Sequence, residues 1–174
     1  MRYADIKLTD IANGPGVRVS LYVQGCEFRC KGCFNPETWS FKGGKIFDNS
    51  AFEKLCQQLE NDYVTGVSIL GGEPLHRWNV STVLILCQQL RKLYPDKSMW
   101  IYTGYTYETL DSTQRLILPL IDVLVDGQFE EENKVIDLRF RGSTNQRILD
   151  VRRTLETDEI VMWEDTDEYY RTDD

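Results

Sequence analysis

Residues 17–33 read VRVSLYVQGCEFRCKGC, and the organisation of the chain follows from them. Val17, Val19, Leu21 and Val23 alternate with Arg18, Ser20 and Tyr22 in β-branched and aromatic company, the pattern of a strand from Val17 to Gln24. Gly25 then opens a loop that carries Cys26, Cys30 and Cys33, three thiols within eight residues. A strand that delivers reactive side chains from its carboxyl end belongs to α/β architecture, where ligands collect at that end.

The following residues repeat the arrangement. Asp48, Asn49 and Ser50 offer N-caps for a helix from about Ala51 to Glu60, and Gly66 to Leu70 is a short buried-type strand leading into Gly71-Gly72-Glu73-Pro74. Helical periodicity from Val80 to Tyr94 stops at Pro95, after which Ser98 to Tyr102 predicts a strand that ends in Thr103-Gly104-Tyr105. A short helix around Glu108 to Leu118 precedes a strand from Asp122 to Asp126; Gln128 to Gln146 is polar and irregular, and Arg147 to Val151 adds a last strand. This alternation predicts right-handed βαβ units and a mainly parallel sheet. With 174 residues the chain is short of the roughly 250 that eight βα units need, so the expected fold is a partial, open barrel. Four strand ends, at Cys26 to Cys33, Gly71 to Pro74, Thr103 to Tyr105 and Asp126-Gly127, then carry the chemistry.

Composition narrows the functions available. With 41% hydrophobic and 28% charged residues the chain can bury a core, and no linker divides it. No apolar run reaches a membrane span, and Met1 to Asp5 lacks the apolar stretch of an export signal, which predicts a cytoplasmic protein. The net charge of −8 resides in residues 156–174, with nine acids and one base, leaving a neutral body. A single domain over 1–155 and an acidic tail over 156–174 are expected. Such a tail repels phosphate backbones and argues against nucleic-acid binding; it is read as solvated, or as docking on a basic surface.

Five cysteines without an export signal point to reduced thiols used for metal binding or catalysis. Cys56 and Cys87 fall within helical patterns and read as core. The Cys-x3-Cys-x2-Cys loop can hold three irons of a cubane four-iron four-sulfur cluster, leaving the fourth iron open to a ligand. A Cys3His zinc site with His76, the only histidine, is the competing reading.

Cys26-Glu27-Phe28-Arg29-Cys30-Lys31-Gly32-Cys33 resembles the cluster motif of radical S-adenosylmethionine enzymes, and Gly71-Gly72-Glu73-Pro74 resembles the segment that receives the methionine amino group there. Asn13 to Arg18, Cys33 to Trp39, Tyr102 to Tyr105, Asp122 to Gly127 and Arg141 to Arg147 further resemble the activating proteins of anaerobic (class III) ribonucleotide reductase. The resemblance runs from about residue 10 to about residue 150.

It implies an open (βα) barrel of the radical S-adenosylmethionine type, one 4Fe-4S cluster on Cys26, Cys30 and Cys33, and S-adenosylmethionine bound at the open iron. Gly71 and Gly72 would allow close backbone approach, and Glu73 would accept from the ammonium. Gly32 stands where the broad superfamily has an aromatic residue, so Phe34, or the backbone of Gly32 to Phe34, is the expected adenine contact. Thr103, Tyr105, Asp126 and Asn145 are candidate contacts to ribose or methionine, whereas Trp39 and Tyr107 read as packing residues. The implied reaction abstracts hydrogen from a glycine in the large subunit of anaerobic ribonucleoside-triphosphate reductase, with a flavodoxin-like protein as reductant. Another glycyl-radical enzyme, a small molecule, and a non-catalytic zinc module remain the alternatives at this point.

Overall fold

The computed structural model describes residues 1–165. Of the acidic segment expected over 156–174, the part beyond residue 165 lies outside the described residues. Seven strands form one sheet: β1 (Arg2–Asp10), β2 (Val17–Val23), β3 (Lys45–Ile46), β4 (Val64–Gly71), β5 (Ser98–Tyr102), β6 (Val123–Asp126) and β7 (Arg147–Asp150), in the order β3-β1-β2-β4-β5-β6-β7.

 Val17–Val23 and Val64–Gly71 pair in parallel, as do β4 with β5 and β5 with β6. β1 pairs antiparallel with β2 and β3, and β7 antiparallel with β6. The expected mainly parallel sheet is therefore corrected to an open, mixed one. The reason is connection length: residues 11–16 are too few for a crossover, so β1 and β2 form a hairpin, and residues 127–146 return to β6 without a crossover helix.

Helices α1 (Asn49–Leu59), α2 (Val80–Leu93), α3 (Ser112–Arg115) and α4 (Val151–Thr157) complete the fold. The Asp48 side chain caps α1 by accepting from Ala51 N at 3.0 Å. The single helix expected around Glu108 to Leu118 is instead three short pieces. Asp111 caps a new turn, accepting from the Thr113 and Gln114 backbone N–H groups, and Pro119 sits in the 3-10 turn Leu118–Leu120 that closes the segment.

The two faces of the sheet bury different chemistry. One face carries Val19, Leu21, Val23, Val67, Ile69, Met99, Ile101 and Leu124 against Leu55 and Leu59 of α1 and Val83, Leu86, Cys87 and Leu90 of α2. On the other face of β2, Arg18, Ser20 and Tyr22 are buried too. They face an interior that also holds Ser68 and Trp100. The Arg18 guanidinium is satisfied there, donating to Ser68 Oγ at 2.7 Å, Ser98 Oγ at 2.8 Å and Val67 O at 2.8 Å. Residue 156, where the acidic tail is expected to start, lies within α4, and the chain returns to the sheet as the Val161 carbonyl accepts from Asp150 N at 2.9 Å. No helix of the described residues is long and apolar enough to cross a membrane.

Candidate active site

Four parallel strands end on one rim, and the cysteine loop leaves the first of them. Gly25 turns the chain at φ +98°, where a Cβ would meet the Phe41 ring at 2.1 Å. Its N–H donates to Thr38 O at 2.7 Å, and Cys26 N–H donates to Trp39 O at 3.1 Å, so both ends of the loop are tied together. Cys33 N–H donates to Cys30 O at 3.2 Å, and Asn35 N–H donates to the Cys33 sulfur at 3.4 Å. Burial pushes the Cys26 thiol up to about 11, while the backbone N–H groups of Phe28 and Arg29 pull the other way. All three thiols are half-buried and free. Backbone donors aimed at sulfur suit thiolates that bind iron.

The Gly-Gly-Glu segment closes on this loop from β4. Gly71 adopts φ +102°, and a Cβ on it would lie 2.8 Å from Tyr22 Cα; one on Gly72 would lie 2.6 Å from Gly25 O. Gly72 N–H donates to Val23 O and Glu73 N–H to Gly25 O, each at 2.8 Å. The close approach for which these glycines are needed is thus made first to the chain's own backbone. Glu73 is buried: Oε1 accepts from Thr103 Oγ1 and Leu75 N, and Oε2 from Gly104 N, all at 2.8 Å. Burial pushes its carboxyl up to about 7 against those donors.

Together these residues wall a cavity of about 590 Å³. Of the residues singled out in the sequence, Cys26, Cys30, Cys33, Phe34, Gly71, Gly72, Glu73 and Thr103 line it. Four others are not brought into its wall. Gly32 faces Glu131, and Tyr105 packs edge-on against Phe28 with ring centroids 5.0 Å apart. Asn145 Nδ2 donates to Gln128 O at 2.8 Å. Asp126 is fully buried in an ion pair, accepting from Arg147 Nη2 at 2.6 Å and from Tyr107 N at 2.7 Å.

Residues that sequence reasoning missed supply much of the remaining wall: Asn13, Tyr22, Tyr102, Phe129, Phe140 and Gln146. Trp39, read as packing, lines it as well. Phe129 and Phe140 could have been suspected as aromatic residues in a polar stretch, and Asn13 and Gln146 lie in the blocks that carry the resemblance. The Tyr102 hydroxyl is buried without a hydrogen-bond partner among the described residues, and burial holds it well above the usual phenol range. An orphaned hydroxyl on the wall of the cavity that the three cysteines also line fits a site built for a polar ligand.

His76 does not join the cysteines. Its ring packs with those of Phe41 and Trp78 in one cluster, Nδ1 accepts from Trp78 N at 3.3 Å, and Nε2 meets Glu27 at 3.2 Å. Both ring nitrogens are occupied, which leaves the zinc reading without its fourth ligand.

A family model described as a 4Fe-4S single cluster domain matches residues 12–149, the span that carries the loop of three cysteines and the cavity beside it. The anaerobic ribonucleoside-triphosphate reductase-activating protein of Haemophilus influenzae is 42% identical over 150 residues, covering 85% of this chain and 97% of that protein. Its counterpart in Escherichia coli K12 is 38% identical over 154 residues, 87% of this chain and all of that protein. The one from Enterobacteria phage T4 is 36% identical over 148 residues, 85% and 93% of the two chains. The chain belongs to the family of anaerobic ribonucleoside-triphosphate reductase-activating proteins.

Proposed function

We propose that this protein is the iron–sulfur enzyme that activates anaerobic ribonucleoside-triphosphate reductase, with Cys26, Cys30 and Cys33 holding one 4Fe-4S cluster and S-adenosylmethionine filling the adjoining cavity. The observation that carries the reading is the placement of the three thiols on the wall of that cavity, in a chain of this family. Held by Cys26, Cys30 and Cys33 and reduced by an electron donor, a cluster would supply the one electron for reductive cleavage of S-adenosylmethionine, the chemistry that hydrogen abstraction from a glycine Cα would draw on.

The chain's own residues do the rest. The glycines at 71 and 72 keep side chains out of the space beside the cysteine loop, and Glu73 fixes the ends of β4 and β5 so that Thr103 and Gly104 face the cavity edge. The Oε2 atom of Glu73, with one donor from the chain, retains the capacity to accept from an ammonium group. Tyr102 offers its hydroxyl to the ligand, and Phe34, Phe129 and Phe140 exclude water from one side. The open sheet, read as a partial barrel of the radical S-adenosylmethionine type, leaves room for a peptide loop of the reductase large subunit. Residues 1–155, the expected bounds of the domain, hold most of it, and the segment that follows stays packed on the sheet as far as Trp163 before the acidic end. A flavodoxin-like protein is the proposed reductant, in the cytoplasm, where thiols stay reduced.

The test is anaerobic reconstitution with iron and sulfide, reduction, and addition of S-adenosylmethionine and the reductase. A glycyl-radical signal by electron paramagnetic resonance together with 5′-deoxyadenosine is expected, and Cys30→Ala should abolish both. Cleavage by Cys30→Ala at the parent rate would remove the cluster assignment.

A further inference from the structure

The segment from Lys134 to Arg141 crosses the mouth of the cavity as a strap. Its base is closed by the Lys134–Ser143 bridge and by Thr144 N–H donating to Asn133 O at 2.9 Å. Lys134, Val135, Ile136, Leu138, Phe140 and Arg141 all line the cavity, yet Ile136 is 91% exposed. A loop with an exposed middle depends on its anchors. One is Lys134 Nζ, 4.9 Å from the centre of the Phe34 ring. At the far end Arg141 Nη1 donates to Gln146 O at 2.7 Å, and the second anchor within the strap is Phe140, buried against Trp100 at 5.6 Å and Trp163 at 6.0 Å between ring centroids.

The second anchor comes from outside the matched family segment, which ends at residue 149. Trp163 is itself held firmly: its N–H donates to Ile148 O at 2.8 Å, and its ring stands 5.0 Å from that of Trp100. Asp165 pairs with Arg139, the neighbour of Phe140. Phe140 sits at φ +60°, a conformation that a bulky L-residue keeps only where its surroundings impose it. Trp100 and Trp163 are those surroundings.

We propose that Trp163 and Asp165 are positioning residues which, by gripping Phe140 and Arg139, hold the strap over the cavity and set how readily a substrate peptide reaches it. The inference rests on the reading of the cavity as the cofactor site. Neither residue touches the cavity, so both act through the strap.

The experiment compares reconstituted parent enzyme with Trp163→Ala, Trp163→Phe and Asp165→Asn by hydrogen–deuterium exchange and by steady-state activation of the reductase. Exchange over residues 134–141 should be about tenfold faster in Trp163→Ala, and near the parent rate in Trp163→Phe, with β4 and β5 unchanged. The KM for the reductase should shift by about threefold or more, and by more than S-adenosylmethionine affinity does, since Phe140 also lines the cofactor cavity. Unchanged strap exchange in the folded variants, or an equal change in cofactor affinity, would overturn the proposal. If Trp163→Ala does not fold, the same comparison rests on Asp165→Asn, with faster strap exchange expected and parent-like exchange overturning it. Absence of 5′-deoxyadenosine from every protein, parent included, would count against the cofactor reading, while strap exchange would still decide whether the clamp exists.

Discussion

Glu73 joins the ends of β4 and β5 through two hydrogen bonds, from Thr103 and Gly104, accepts a third from Leu75 N in its own turn, and has a measurable signature of its burial. Its carboxyl titrates near 7 in the fold against an ordinary 4.5, so between those values the folded chain keeps a proton that the unfolded chain has lost. This group's contribution to the metal-free protein is therefore full below the ordinary value, falls as pH rises through about 7, and amounts to at most about 3 kcal/mol. Thermal melts of metal-free protein across this range should show the decline, and Glu73→Gln should flatten it while lowering stability at acid pH, because the amide sets a donor against a donor. A flat profile in the parent would contradict the assignment. The three cysteines stood out by their spacing, and Gly71 to Glu73 by their place after a strand and by resemblance; all of them line the cavity. Asp126 was misleading for a physical reason: a carboxylate at a strand end looks free until Arg147, brought beside it by the pairing of β6 with β7, is seen to neutralise it.

That pairing matters at the level of elements. Arg147 donates to both Asp126 oxygens and to both Glu108 oxygens, tying the segment after β5 to the ends of β6 and β7. The guanidinium holds the Glu108 carboxyl down to about 2. Arg147→Met should cost about 3 kcal/mol in urea denaturation, because Asp126 is left charged and fully buried. A loss below about 1 kcal/mol would show that Asp126 is served by its remaining donor, Tyr107 N. β2, β4, β5, α1 and α2 were readable because β-branched runs and helical spacing act locally. β1 was not: RYADIKLTD buries only Ile6 and Asp10, as suits a strand near the edge of the sheet, so it lacks the apolar signal of its neighbours.

Taken whole, the molecule holds its two hydrophobic clusters together without Cys26, Cys30 or Cys33. Removal of the metal by a chelator under anaerobic conditions should therefore leave the far-ultraviolet circular dichroism of the sheet and helices unchanged, with faster hydrogen exchange confined to about residues 26–39. Collapse of the sheet on chelation would show that the cluster is a structural requirement. The mixed direction of the strands was beyond local pattern, since strand direction depends on how each connection returns.

The hairpin of β1 with β2 has a practical side. The backbone oxygen of Arg2 accepts from Gln24 N at 2.9 Å, two residues before Cys26, and the Arg2 side chain donates to Gly43 O and Gly44 O. An affinity tag fused ahead of Met1 would hang beside the cysteine loop. Histidines in such a tag would compete for iron during reconstitution, so the purification handle is itself a variable of the assay.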